Sequence, residues 1–265
     1  MKIVKLTLAL LLSISIVSCS SDNDDDVDLT GQTGSVVLKF DNSVGDLDFA
    51  FNTSFDRANG ESFKLETLKY IVSNVRVKDS EGNIFMYPTA SNVFIINEAK
   101  SNNAGEIWVT LDGIDAADYT EITFGIGIDQ ERYALGADGQ GDFLAEAEAE
   151  GMLWSWATGF KFMRFDGTYS SSTVTDEGLN MHMGSVGSSL DNYKEVTLTF
   201  PNTILVREDK TPEVHIKADI AEAFDGVTAV NFDDGYNQVH VDETETGVIA
   251  TNLTGMFMVH HVHNN

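Results

Sequence analysis

The chain has little of two things, cysteine and positive charge. Cys19 is the only cysteine among 265 residues, so no internal disulfide can form. Only 16 Lys and Arg stand against 42 Asp and Glu, which gives a net charge of −26 at pH 7. A field of this sign argues against nucleic acid as a partner and against adhesion to anionic lipid surfaces. It favours the attraction of cations but does not identify one.

Motifs of common enzymes are also missing from the sequence. It contains no Gly-rich phosphate loop between a strand and a helix, no His-Glu-x-x-His and no Gly-x-Ser-x-Gly. The carboxylates are so numerous that no acid–base pair stands out. We therefore predict a protein that is not an enzyme.

The amino terminus has the pattern of a secretory signal. Lys2 and Lys5 precede an apolar run over residues 6–17, which is too short to span a bilayer as a mature helix. The run ends in Ile16-Val17-Ser18-Cys19, a sequence typical of a lipobox. The alternative is an ordinary signal peptide followed by a chance cysteine. We predict a signal peptide over residues 1–18 and lipidation of Cys19, which would anchor the protein to a membrane.

An acidic stretch follows the cysteine. Residues 20–26 are all Ser, Asn or Asp, and such a segment cannot bury itself, so residues 19–34 are predicted to be a solvated tether. The stretch also resembles the acidic signal that some gram-negative lineages use to direct lipoproteins to the cell surface. We expect an outer-membrane lipoprotein that faces either the periplasm or the surface. No repeat or linker interrupts residues 35–265, which are predicted to be one domain.

Alternating apolar and polar residues predict strands through most of this domain. A turn at residues 79–83 indicates a hairpin, and residues 142–150, rich in Ala and Glu, indicate a helix. The spacing predicts an all-β fold, an antiparallel sandwich or barrel with one or two short helices. The predicted strands cover residues 35–40, 63–77, 84–87, 92–97, 106–111, 121–128, 160–165, 195–200, 214–218 and 256–263.

Histidines are concentrated in the last third of the chain. On a strand, His261 and His263 would point to one face about 7 Å apart, a distance that one metal ion can bridge. His182 lies between two methionines, and imidazole with a nearby thioether suits copper better than magnesium or calcium. A solvated chain end and core-filling methionines would explain the same pattern. His215 and His240, each between apolar neighbours, are most simply surface or packed residues. The candidate ligands are His182, His261 and His263.

Aromatic residues are concentrated over residues 151–167. Trp154 and Trp156 are two positions apart and would share a face of an extended segment. Three interpretations are open. The two tryptophans form a hydrophobic anchor of the sandwich, they form a platform for stacking on a sugar, or one of them is an oxidisable tryptophan beside a metal.

Several segments, in their order and spacing, resemble the MbnP-like family of copper-associated periplasmic and surface proteins. The segments are residues 60–63, 68–75, 124–129, 152–160, 166–167, 181–184 and 257–264. The resemblance covers nearly the whole mature chain and implies an all-β, sandwich-like fold. One departure is that many relatives have a histidine in the first strand region, where this chain has Phe40-Asp41-Asn42.

The resemblance also implies copper binding by histidines, with His182 as the best-matched ligand. In some relatives a dihaem peroxidase partner oxidises a tryptophan to kynurenine, which makes Trp154 and Trp156 the candidates here. We therefore expect a non-catalytic, copper-binding lipoprotein in copper acquisition or delivery. The alternative is a surface interaction or glycan-binding module without metal, in which both tryptophans stack on a ligand.

Overall fold

The computed structural model describes residues 28–155 and 157–265. The predicted signal peptide, Cys19, the acidic stretch at 20–26 and Trp156 lie outside the described residues. Within the described ranges, no helix is long and apolar enough to cross a membrane.

Strands dominate the described part of the chain, and ten of the fourteen lie where alternation predicted them. Four α-helices connect them, α1 (Gln130–Ala134), α2 (Asp142–Ala149), α3 (Glu222–Asp225) and α4 (Glu243–Asn252), which is more helix than the one or two pieces predicted. The strands are β1 (Thr33–Val44), β2 (Leu47–Asp48), β3 (Phe55–Asp56), β4 (Ser62–Asp79), β5 (Ile84–Met86), β6 (Val93–Asn97), β7 (Glu106–Asp115), β8 (Asp118–Ile126), β9 (Lys161–Ser170), β10 (Glu177–Gly184), β11 (Lys194–Leu205), β12 (Glu213–Asp219), β13 (Gln238–Val239) and β14 (Phe257–His263). Of these, β2, β3, β10 and β13 were not predicted.

These strands form two sheets. The five-stranded sheet has the order β14-β12-β1-β2, with β7 also paired to β1. The nine-stranded sheet has the order β11-β8-β4-β9-β10-β13, with β3, β5 and β6 paired to β4. Most pairs are antiparallel as predicted, but β1 with β12 and β10 with β13 are parallel. Parallel pairing is accessible to these strands because a long crossover, rather than a hairpin, joins each pair.

Aromatic side chains join the two sheets. Phe40 and Phe257 point inward from the five-stranded sheet, and Tyr70 and Phe124 point inward from the nine-stranded sheet. Their rings meet edge to face, with centroids 5.1 Å apart for Phe124 and Phe257 and 6.3 Å apart for Phe40 and Tyr70. Such contacts between inner faces define a sandwich, so the predicted all-β fold is confirmed.

Alternation along the strands decides which side chains reach the outer faces. On β10, Met181 and Met183 are fully buried while His182 is partly exposed. Because neighbours on a strand point to opposite faces, these two thioethers face the core and not the same side as His182. They fill the core, in agreement with the simpler of the two sequence interpretations.

Candidate metal centre

A β-bulge near the carboxyl terminus brings histidines together on the outer face of the five-stranded sheet. On β12 and β14, His215 lies opposite His261, but the next residue, Ile216, lies opposite Val259. His260 is therefore the extra residue of a bulge, which interrupts the alternation of β14. As a result the Nδ1 atoms of His260 and His261 are only 2.8 Å apart.

Three imidazoles converge at this bulge. His215, His260 and His261 each offer a nitrogen, and the three atoms all lie within 4.8 Å of one another. The His215 and His261 rings stack with centroids 4.5 Å apart, and the His263 ring is 4.8 Å from that of His261. Among the residues that the structure describes, no other group of three His, Cys, Asp or Glu side chains is arranged to hold a metal ion. We call His215, His260, His261 and His263 the β14 histidine cluster.

A carboxylate holds one member of the β14 histidine cluster in place. Glu106 on β7 is hydrogen-bonded to Nε2 of His215. Trp108 Nε1 donates to Glu106 at 2.7 Å, and Asn102 donates to it at 3.2 Å. Burial raises the pKa of Glu106, but the hydrogen bonds outweigh it and lower the pKa to about 2. A carboxylate on one ring nitrogen of a histidine fixes the tautomer and leaves the other nitrogen for a metal.

The surroundings of His261 favour its neutral form. Burial lowers the pKa of His261, and the imidazoles of His215, His263 and His260 lower it further. Neutral imidazole is the form that coordinates a metal ion.

One member of the β14 histidine cluster, His260, lines a cleft of about 390 Å³ on the outer face. Its lining includes His260 and Met258, the carboxylates of Asp46, Asp219 and Glu222, and the ammonium group of Lys217. Met258 is half exposed, so its thioether is accessible beside His260. The cleft thus combines imidazole, thioether and carboxylate groups.

His182 lies elsewhere, on the outer face of the nine-stranded sheet. Its Nε2 is hydrogen-bonded to Asp166, and its ring centroid is 5.2 Å from that of His240. The structure thus groups His182 with His240, whereas it groups His261 and His263 with His215 and His260. The three ligands predicted from sequence are divided between two sheets.

Sequence reasoning missed His215, His260 and Glu106 as parts of one site. His215 has apolar neighbours on an alternating strand, which is also the pattern of an ordinary surface histidine. Simple alternation puts His260 on the face opposite His261, and only the bulge overrides it. Glu106 is 109 positions from His215, and no local pattern links them.

Trp154 is buried, which removes it as a sugar-stacking platform. Its side chain is 6% exposed, its Nε1 donates to the Ser185 carbonyl at 3.1 Å, and the Lys161 ammonium lies 5.6 Å from its ring. By contrast, Trp108 beside Glu106 is 54% exposed. The interpretation of Trp154 as a hydrophobic anchor fits its burial.

In the first strand, Asn42 points into the core rather than toward either group of histidines. It donates to Glu98 at 2.8 Å and accepts from the Tyr70 hydroxyl at 3.0 Å. This buried amide network occupies the segment in which the family resemblance leads one to expect a histidine.

Comparison with known proteins supports the resemblance. The family model described as MbnP matches residues 33–244, so Glu106, His182 and His215 lie inside the match while His260, His261 and His263 lie beyond it. Among solved structures, the chain is similar to MbnP from Methylosinus trichosporium, at 12% identity and a TM-score of 0.45, over 88% of this chain and 99% of that one. No curated protein matches the chain.

Proposed function

This chain belongs to the MbnP family, and from that premise we propose that it is a non-catalytic copper-binding protein whose ligands are His215, His260 and His261. The observation behind the proposal is the convergence of three imidazole nitrogens within 4.8 Å of one another. Nitrogens that bind one ion at about 2 Å each lie no more than about 4 Å apart, so small side-chain movements would complete the site. His263 is close enough to His261 to serve as a further ligand.

The donor types support copper over hard cations. Calcium and magnesium take oxygen ligands, whereas imidazole suits copper, zinc, iron and nickel. Within that group, divalent copper generally has the highest affinity for a given site, and thioethers select monovalent copper. Met258, which is half exposed, lines the cleft together with His260, and this thioether favours copper over zinc.

The charge of the protein and its predicted location are consistent with copper acquisition or delivery. The net charge of −26 attracts cations to the surface. Export and lipidation at Cys19 would hold the site at the outer membrane, facing either the periplasm or the medium. A dihaem peroxidase partner acting on Trp154 or Trp156 stays a prediction of the family resemblance.

The burial of Trp154 counts against the glycan-binding alternative. It requires both Trp154 and Trp156 to present their rings to a ligand, and Trp154 is buried against the Ser185 carbonyl. We therefore retain copper binding as the proposed function.

Competitive titration tests the proposal. Protein without a histidine tag is titrated with copper against a chelator of known affinity, and bound copper is measured by mass spectrometry. We expect one tight site in the wild type, which is lost when both His215 and His261 are changed to Asn. His182→Asn, the matched control on the other sheet, should retain it. Absence of tight copper in the wild type, or its retention in the double variant, would contradict the proposal.

A further inference from the structure

We propose that the unpaired edge of β7 binds an extended, positively charged peptide segment of a partner protein, which adds a strand to the five-stranded sheet. Three features of the molecule support this binding mode: the direction of the β7 main chain, an apolar wall beside it, and the charge of the protein. Binding of the peptide requires no metal ion, so it is independent of the proposed function.

Strand β7 has a partner on one side only. Within the described residues it pairs with β1, while β6 pairs with β4. A cleft of about 660 Å³ runs along the other side of β7, which lines it with five consecutive residues, 106–110. Residues 93–95 of β6 line it as well. Five residues of a strand span roughly 17 Å, so a short extended peptide fits along this edge.

The main chain of Thr110 points away from β1. Thr110 pairs with Val37, but the Val37 N–H donates to the carbonyl of Pro212, just before β12, at 3.0 Å. Opposite residues of an antiparallel ladder either exchange both hydrogen bonds or exchange neither. Because Val37 is turned toward β12, the N–H and C=O of Thr110 are directed to the unpaired edge of β7.

The main chain of Trp108 has the same direction. The Glu106 carbonyl accepts from the N–H of Asn102, before β7, at 2.9 Å, so Glu106 is also turned away from β1. The register of β7 with β1 is unbroken from Glu106 to Thr110, and Trp108 lies two positions from each. Among the residues described here, no strand or loop is hydrogen-bonded to the N–H and C=O groups of Trp108 and Thr110. An added peptide strand would pair with these four groups.

Apolar side chains that face the interior of the sandwich form one wall of the cleft. Each keeps 8–9% of its surface exposed, and they are Val93 and Ile95 of β6 and Ile107 and Val109 of β7. Successive side chains of an added strand point to opposite faces of the sheet. Apolar residues at every second position of the peptide would therefore cover this wall.

Charge decides which residues suit the outward positions of the peptide. The protein carries a net charge of −26, and the carboxylates of Glu106 and Glu146 line the cleft. The ammonium group of Lys100, which also lines it, is paired with Glu150 at 2.6 Å. Lysine or arginine at the outward positions would be attracted to this surface, whereas a second copy of the acidic chain would be repelled.

An acetylated and amidated heptapeptide in which Lys and Val alternate is the probe. Added to the metal-free wild-type protein, it should slow hydrogen exchange at the amides of Trp108 and Thr110, as followed by NMR. Calorimetry should show binding that weakens as salt is added. The same peptide with N-methylated amides tests the main-chain bonds, and the peptide with Glu in place of Lys tests the charge. Both should bind at least about 10-fold more weakly.

Thr110→Pro removes a main-chain donor that points into the cleft. The pairing of β7 with β1 does not use this N–H, and proline is tolerated at such positions of edge strands. The variant should bind the heptapeptide about 10-fold more weakly. Thr110→Val, which keeps the N–H, is the matched control and should retain the affinity of the wild type.

Wild-type protein whose Trp108 and Thr110 amides stay unprotected with the heptapeptide at up to about 1 mM would overturn the proposal. Equal binding of the N-methylated peptide would also overturn it, because contact would then depend on charge alone. Protection of the same amides by self-association without peptide would place a second copy in the cleft and contradict a basic partner.

Discussion

Glu106 and His215 meet across β1, although 109 positions separate them in the chain and they belong to strands β7 and β12. The Glu106 carboxylate occupies Nε2 of His215 and is itself held by the Trp108 indole N–H. His215 thereby keeps a single orientation, and Nδ1 is the ring nitrogen left for a metal ion. This orientation makes an ordinary surface histidine suitable as a metal ligand.

Removing the charge of Glu106 should weaken copper binding. Glu106→Gln retains the shape of the side chain but loses the strong acceptor for the His215 ring, and partners of this kind are worth about 10-fold to 100-fold in metal affinity. Chelator competition measures the change. Glu121→Gln, which removes a carboxylate paired with Lys78, is the charge-matched control. Equal affinities in the two variants would show that Glu106 does not support the site.

Glu150 should make the fold sensitive to acid. Its carboxylate pairs with Lys100 at 2.6 Å and Lys69 at 2.7 Å, and these hydrogen bonds lower the pKa of Glu150 to about 2. Because the folded-state pKa is depressed, the ionised group stabilises the fold above about pH 4.5, and this contribution is lost as pH falls toward about 2. Lys100 is exposed, so screening limits the contribution to about 1–2 kcal/mol.

Thermal unfolding of the wild type and Glu150→Gln across this range measures the effect. The wild type should have the higher Tm at pH 6, and the two curves should converge near pH 2. A Tm difference that stays constant over the whole range would contradict the assignment.

Two glycine-to-alanine changes should have opposite effects on stability. At Gly167 on β9, a Cβ atom would lie 1.9 Å from the Lys64 carbonyl oxygen, which belongs to the paired strand backbone and cannot move aside. Gly167→Ala should therefore destabilise the fold by about 2 kcal/mol or more.

Gly247 lies within α4, and a Cβ atom added there would have no neighbouring atom within 4 Å, so Gly247→Ala should stabilise the fold by about 0.5–1 kcal/mol. Urea unfolding measures both, and equal effects would contradict the close approach of β9 to β4.

Sequence periodicity predicted most of the sandwich because its strands alternate between a buried and an exposed face. Strands β13 and β10 were not predicted. Strand β13 has two residues and is too short to show a period, and β10 begins and ends in glycine-containing sequence. Helix α4 was missed because Thr and Gly, which are poor helix formers, occupy its middle. Its start depends on Asp242, whose side chain caps the backbone N–H groups of Thr244 and Glu245.

The candidate site was less predictable than the fold. The sequence identified His261 and His263 as candidate ligands, but the bulge that adds His260 depends on pairing with β12 and has no signature in β14 alone. The link between His182 and His240 depends on a parallel pairing of strands far apart in the chain. Long-range pairings of this kind follow from the packing of the whole sandwich, which local periodicity does not encode.

Anomalous diffraction from copper-loaded crystals, recorded at the copper edge, locates the bound copper ion. We expect a strong peak about 2 Å from nitrogens of His215, His260 and His261. Copper-loaded crystals with no peak at these three histidines, whether or not copper binds elsewhere on the protein, would contradict it.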